Sequence, residues 1–398
     1  MKILFVDDEI QVLRGMCRMI DCEMEDWFVE TATSGSEALE ILALGEFNAV
    51  VSDMTMPEMD GAQLLQAVES QYPNVLRVVL SGQADQETVL RAMGPMHQFL
   101  SKPCDPEDLL NVFRRAEVFQ QTISSSEVLE AIGRANCLPS LPQVVNEINE
   151  ELTKQQSTAK TLSEIICHDA VLTAKILQMA NSAIFGLKHP VLDLERALTV
   201  LGSDIIRSVA ISLSVFSPDT ESTANLATEL FHHSLNVSRI CREIAAWEKA
   251  STEETNSALS AGLLHDIGKV VLHNAFAERY TETVARATPD EPAWRLEYDE
   301  FGATHSGVGA YLMKLWGLPE ILVEAVAAHH NPEICSRSSM PCKVVFAANW
   351  IANGADISAF NTDDPSKDTK DLKKFADQLA AWNRRYTADL EKETVTNV

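Results

Sequence analysis

The chain is poor in basic residues. Its 398 residues include 32 Lys and Arg against 58 Asp and Glu, a formal net charge of -26. The deficit is spread along the chain: residues 1–120 hold 21 acidic and 8 basic side chains, and the remainder holds 37 and 24. A nucleic-acid backbone is bound by a basic face that displaces counterions, so neither half reads as such a binder. Cysteine occurs eight times, at Cys17, Cys22, Cys104, Cys137, Cys167, Cys241, Cys335 and Cys342. None form CxxC and none pair at zinc-finger spacing, so they read as scattered thiols in a reducing compartment. No apolar run reaches the roughly 18 residues of a membrane span. The N-terminus enters an apolar strand without the basic segment and apolar core of a signal peptide. These absences predict a cytoplasmic protein. Hydrophobic residues make up 46% and charged residues 23%, which suits large buried cores. The length suggests two or three domains.

What is present centres on VVSDMTMPEMDG, residues 50–61. An apolar strand (Phe47, Ala49, Val50, Val51) delivers Asp53 to its C-terminal end, where ligands sit in an open α/β sheet. Asp7 and Asp8 follow a first strand over Lys2 to Val6. Ser81 follows a fourth, and Lys102 precedes Pro103 after a fifth at Gln98 to Ser101. Between these strands lie helical spacings at 10–20, 37–42, 61–70, 84–93 and from Pro106 to about Thr122. Strands alternating with helices predict a doubly wound, five-stranded parallel sheet of flavodoxin-like type, covered on both faces. Carboxylates gathered at one sheet edge repel unless a cation sits among them. Oxygen ligands suit Mg²⁺, and a carboxylate beside it can accept a phosphoryl group. The bland alternative is a solvated rim of charges.

This constellation resembles the receiver domain of two-component response regulators across the first 120 residues. The resemblance implies that Asp53 is the phospho-acceptor and a sensor histidine kinase the donor. Asp8, Asp53 and the Thr55 carbonyl would ligate Mg²⁺, with Asp7 helping through water. Lys102 would contact the phosphoryl group, and its bond to Pro103 would be cis. Ser81 and Phe99 fill the positions of the switch hydroxyl and switch aromatic. Added phosphoryl charge would pull Ser81 inward and let Phe99 turn in.

The last receiver helix leads into a second helical stretch, Val128 to Ile132, with no Gly/Pro-rich linker. Such a stiff connector transmits movement and could pair with a copy of itself in a homodimer. Beyond it every pattern is helical, which predicts an all-α domain of about ten helices. KILQMANSAIFGL (175–187) reads as core packing. LLHDIGKVVL (263–272) places His265 and Asp266 on an otherwise apolar helix, where a His-Asp pair is costly to bury unpartnered. His232, His233, His305, His329 and His330 add further metal-capable groups.

The second half resembles the HD superfamily of metal-dependent phosphohydrolases. The resemblance makes His233, His265, Asp266, His305, His329 and His330 a possible, vestigial metal site for Fe, Mn or Zn. Lys269 matches the phosphate-contacting lysine. LPSLPQVV, LTAKILQMANSAIFGL and YLMKLWGLPEILVEAVAAHH bring it nearer to the HDOD branch, non-catalytic relatives that act through protein contact. Two departures from the cyclic di-GMP hydrolases agree: NPEICSRSSMP follows His329-His330 where a Gly-Tyr-Pro signature would stand, and Asn349 lies where a final ligand Asp would be. The expected layout is a receiver (1–122), a helical connector (123–136), an HDOD domain (137–360) and a C-terminal helix and tail (361–398) frayed from Glu391. The expected function is a phosphorelay response regulator whose HDOD output contacts an unidentified protein, without membrane or nucleic acid. The alternative is a phosphorylation-gated, metal-dependent phosphohydrolase.

Overall fold

The computed structural model describes residues 1–23, 27–82, 95–120, 123–135, 142–154, 156–182, 185, 187, 189–202, 205–206, 221–354 and 370–396. The expected helix at 84–93 lies outside them. Five strands form one parallel sheet: β1 (Lys2–Val6), β2 (Phe28–Ala32), β3 (Ala49–Asp53), β4 (Leu76–Ser81) and β5 (Gln98–Ser101), in the order β2-β1-β3-β4-β5. Alternation along the strands feeds two cores. Ile3, Phe5, Ala49, Val51, Val78 and Leu80 face one side, while Leu4, Val6, Val50 and Val79 face the other. Helices α1 (Ile10–Glu23) and α4 (Pro106–Gln120) contribute Leu13, Leu109 and Phe113 to the first core. Helices α2 (Gly35–Leu44) and α3 (Gly61–Gln71) contribute Ala38, Leu42, Leu64 and Leu65 to the second.

The first core does not stop at the receiver. It runs through Ile123, and through Val128 and Ile132 of α5 (Ser126–Gly133), into the helical half. That half continues with α6 (Pro142–Leu152), α7 (Ala159–Ile166), α8 (Ala170–Ala180), α9 (Leu194–Leu201) and α10 (Glu221–Trp247). Then come α11 (Thr252–Leu264), α12 (Ile267–Ala285), α13 (Ala293–Phe301), α14 (His305–Leu315) and α15 (Glu320–Ala328). Last are α16 (Pro332–Arg337), α17 (Met340–Ala352) and α18 (Lys370–Thr396). No helix among the described residues is long and apolar enough to cross a membrane.

Two expectations need correction. The stretch around His265 and Asp266 is not one helix: α11 ends at Leu264 and α12 begins at Ile267, with Asp266 at φ −100°, ψ 10° between them. A helix interior would leave the pair facing apolar neighbours, whereas the break turns both side chains into one polar site. The final helix continues past Glu391, where fraying was expected, with its backbone helical to Thr396. It is held by Phe375, Leu379 and Trp382 in the core, and Trp382 Nε1 donates to Glu248 at 2.7 Å.

The receiver's β4–β5 side is seated on the helical half. Gln178 of α8 donates to the His97 carbonyl at 2.8 Å, and Gln98 donates to the Lys314 carbonyl at 3.2 Å. Arg77, fully buried in β4, donates to the carbonyls of Pro73, Val75 and Gly133 at 3.0, 3.2 and 2.7 Å. Its Nε donates to the Pro95 carbonyl, and the Nη2 that serves Gly133 also meets the His97 ring. Its charge faces Glu69, also buried, at 3.6 Å. Burial holds His97 well below the usual histidine range, with the charges of Arg77 and Lys175 adding to the effect.

Candidate functional site

Two clusters of chemistry-bearing residues occupy the two halves. In the receiver, β1 and β3 are neighbours and their connections leave on opposite faces, so their C-terminal ends bound a crevice. Asp7 follows β1 and is buried, with its backbone N–H on the Ala32 carbonyl and one carboxylate oxygen accepting from Glu9 N–H at 2.8 Å. Asp53 ends β3, and Thr55 N–H donates to its Oδ2 at 2.7 Å. Gly61 opens α3 against this turn. A Cβ there would stand 2.2 Å from the Asp53 carbonyl oxygen, so any side chain would push the helix off the site. Asp60 and Gln63 close a capping box at the same helix start, at 2.8 and 3.0 Å.

Lys102 follows β5 with its N–H on the Ser81 carbonyl, 2.8 Å, and a cis bond to Pro103. Its ammonium reaches across β4 to Asp53 at the end of β3 and on to Asp7 beyond β1 at 2.6 Å. Burial pulls the Lys102 pKa down, but hydrogen bonds and attraction from Asp53 and Asp7 outweigh it, and the net shift is upward. The ammonium is thus the cation that the gathered carboxylates require. Asp8 and Thr55 are exposed at the rim. Ser81 and Phe99 are already buried, and Phe99 packs in the second core, so a later inward turn of its ring has little room. The oxygens of Asp7, Asp8 and Asp53 fit the donor type that Mg²⁺ prefers, and receiver domains bind Mg²⁺.

In the helical half, all six predicted groups converge. His233 comes from α10, His265 and Asp266 from the α11–α12 break, His305 from the start of α14, and His329 and His330 from the end of α15. His232, its sequence neighbour, is exposed. Gly268 makes the convergence possible: a Cβ there would lie 2.0 Å from the His305 carbonyl oxygen, so α12 crosses α14 at backbone contact. Candidate ligand atoms fall into two trios, His305-His329-His330 and His233-His265-Asp266, each within 4.8 Å.

Asp266 is fully inside, with Lys269 on Oδ2 at 2.7 Å and the His305 Nε2 3.3 Å from Oδ1. Burial pushes its carboxyl up, but His265, Lys269 and His305 hold it well below the usual range. Burial holds His233, His329 and His330 low. Burial and the Lys269 charge pull His305 down, yet Glu297 and Asp266 together outweigh them and the net shift is upward. Glu297 Oε2 accepts from the His305 Nδ1 at 2.6 Å and from its backbone N–H at 2.8 Å, while Tyr280 donates to Oε1 at 3.0 Å. Burial raises Glu297, and the His305 charge and bonds bring it below its usual value. Trp294 stacks beside His330 with ring centroids 6.2 Å apart. Two buried atoms, the His265 Nε2 and the Asp266 Oδ1, make no well-formed hydrogen bond. Imidazoles aimed inward at an orphaned carboxylate oxygen are a donor set that fits a divalent metal.

Sequence reasoning missed Glu297, Trp294 and Arg77. Glu297 is one acid among several in EYDEFGATH, and nothing in its spacing marks it. A single Arg in an otherwise apolar strand is a signal, because a buried guanidinium demands acceptors.

A doubly wound receiver fold with an acid–lysine edge, joined to a helical domain with a buried His/Asp cluster, defines a signalling protein of modular type. Residues 3–114 match the response regulator receiver domain, and residues 138–332 match the HDOD domain. The chain belongs to the response regulators that join a receiver domain to an HDOD domain. It is similar to an uncharacterized protein of Treponema pallidum, 25% identical over 214 residues, 53% of this chain and 41% of that one. The hydrogenase transcriptional regulatory protein HoxA of Cupriavidus necator is 29% identical over 116 residues, covering 29% of this chain and 23% of its own. The sensor kinase CckA of Brucella abortus is 40% identical over 85 residues, 21% of this chain and 9% of its own. The chain therefore spans less than half the length of these curated relatives. Among solved structures, the MmoQ response regulator of Methylococcus capsulatus str. Bath aligns with a TM-score of 0.48 and 25% identity, over 61% of this chain and 93% of that one.

Proposed function

We propose that Asp53 is phosphorylated by a sensor histidine kinase and that the phosphoryl group changes how the HDOD half meets a protein partner. The observation that carries this reading is Lys102, whose ammonium spans Asp7 and Asp53 at the sheet edge. In the reaction an Asp53 carboxylate oxygen attacks the phosphorus of a phosphohistidine. The P–N bond breaks, the histidine nitrogen takes the electron pair, and an acyl phosphate forms. Asp8, Asp53 and the Thr55 carbonyl would hold a Mg²⁺ ion, with Asp7 assisting, and the ion would offset phosphoryl charge. Lys102 then exchanges its bond to Asp53 for one to a phosphoryl oxygen. Ser81 bonds the new group, and because Phe99 is already buried, the movement falls on β5 itself.

The consequence follows from the seat of β5. His97, just before β5, and Gln98, its first residue, are bonded to α8 and α14, so a displaced β5 strains those bonds. We take the chain as a receiver to residue 122, a connector to 136, an HDOD domain to 360 and a C-terminal helix. The test is phosphorylation by acetyl phosphate or a kinase. Wild type should gain one phosphoryl group, and Asp53→Ala should fold and gain none. Phosphate retained in Asp53→Ala overturns the assignment.

A second reading, a phosphorylation-gated phosphohydrolase, draws support from the converging histidines. Asn349 weighs against it, since a neutral amide is a poorer ligand than the carboxylate it replaces. Turnover of cyclic di-GMP with Mn²⁺ or Fe²⁺, lost in His265→Ala, decides for the enzyme.

A further inference from the structure

We propose that the HDOD half holds a single first-row divalent metal ion on Asp266, His305, His329 and His330, and that Asn349 and Lys269 close the adjoining position at His233 and His265. The inference goes beyond the phosphorelay reading and does not depend on Asp53.

The four donors converge in a way that packing alone does not explain. His305 and His329 commit their Nδ1 atoms to Glu297 and to the Val326 carbonyl, both at 2.6 Å. Their Nε2 atoms then turn inward, 3.2 Å apart, with the His330 Nε2 3.0 Å from that of His305. Lone pairs at this separation repel. One proton on His305 relieves one contact at a time, whereas a central cation accepts all three nitrogens. The fourth donor is the orphaned Asp266 Oδ1, 3.3 Å from the His305 Nε2 and 3.7 Å from the His329 Nε2. It supplies the negative charge that a divalent ion needs in a buried site. Three imidazoles and one carboxylate suit Zn²⁺, Fe²⁺ or Mn²⁺. Glu297 and the Val326 carbonyl fix ring orientation from behind, as outer partners of metal-bound histidines do.

The other trio is taken apart by its own neighbours. The His233 Nε2–H donates to Asn349 Oδ1 at 3.0 Å, and Asn353 donates to the same oxygen at 2.9 Å. That hydrogen bond spends the inward nitrogen of His233. Asp266 Oδ2 accepts from Lys269 at 2.7 Å. Of that trio only His265 keeps an unpartnered inward nitrogen, and one imidazole does not hold a metal. An aspartate at 349 would repel Asp266 without a cation between them; the amide removes that demand.

The experiment strips the purified full chain of metal, reloads it with Zn²⁺ and measures metal per chain by mass spectrometry. Circular dichroism checks each variant for folding. Wild type should bind one equivalent. His233→Ala should also bind one, while His329→Ala and His330→Ala should bind none. Glu297→Gln should bind roughly 10- to 100-fold more weakly, the usual effect of losing an outer partner. Titration of wild type with Co²⁺ gives a reading free of any variant: the visible bands should saturate at one equivalent. Two equivalents, no metal in wild type, or loss of metal in folded His233→Ala overturns the proposal. Phosphorylation of Asp53 is scored separately in the same preparations, so failure of the metal site and failure of the phosphorelay reading remain distinct.

Discussion

Arg77→Met exposes how the receiver is tied to the rest of the chain. The guanidinium is fully buried, faces Glu69 at 3.6 Å and donates to the carbonyls of Pro73, Val75 and Gly133. Methionine fills much of the volume but none of the charge. Glu69 is then buried without its cation, and removing one partner of a buried pair costs about 3–5 kcal/mol. The carbonyl of Gly133 ends α5, so the loss should reach the connector as well as β4. Native-state hydrogen exchange reads both places. Opening free energy at 76–81 should fall by about 3–5 kcal/mol, and protection at 126–133 should fall with it. Arg77→Lys keeps the charge but not the planar fork, and should lie between. A fall below about 1 kcal/mol at β4, the net worth of one ordinary hydrogen bond, refutes the reasoning.

Other consequences are equally concrete. His97 has a folded pKa well below its ordinary value, so the unfolded chain binds the proton first on acidification. Its contribution to stability is whole above about pH 6.5 and is lost as pH falls below it, with a slope of at most about 1.4 kcal/mol per pH unit. Urea unfolding of His97→Gln between pH 5 and 7 should show that slope reduced. Gly268→Ala places a methyl against the His305 carbonyl, so α12 and α14 must separate. Thermal unfolding should show a loss of about 1–3 kcal/mol, the usual cost of overpacking. Gln178→Ala removes the donor to the His97 carbonyl and should speed exchange at 97–101, while β1 exchanges at the wild-type rate.

The receiver was legible because its chemistry is local to strand ends. Asp7, Asp53, Ser81 and Lys102 each follow an apolar run, and a parallel sheet places all such ends on one edge. The helical domain was legible as a class and as a set of histidines, because helical spacing and residue type are local properties. What escaped is set by tertiary contact. The break between α11 and α12 and the seating of Gly268 on α14 are tertiary features that no periodicity reports. Glu297 became an orienting group only when α13 packed beside His305. The division of the histidines into two unequal trios depends on which neighbour engages which nitrogen. Asn349 alone was visible beforehand, as an amide where an acid was expected.

The central claim is that phosphoryl charge at Asp53 is felt in the HDOD half through β5. Hydrogen exchange of the full chain, with and without acetyl phosphate and Mg²⁺, tests it directly. Phosphorylation should change exchange at 97–101 and also at 175–181 of the helical half, and Asp53→Ala should show neither change. Full phosphorylation that alters exchange only within residues 1–120 contradicts the account.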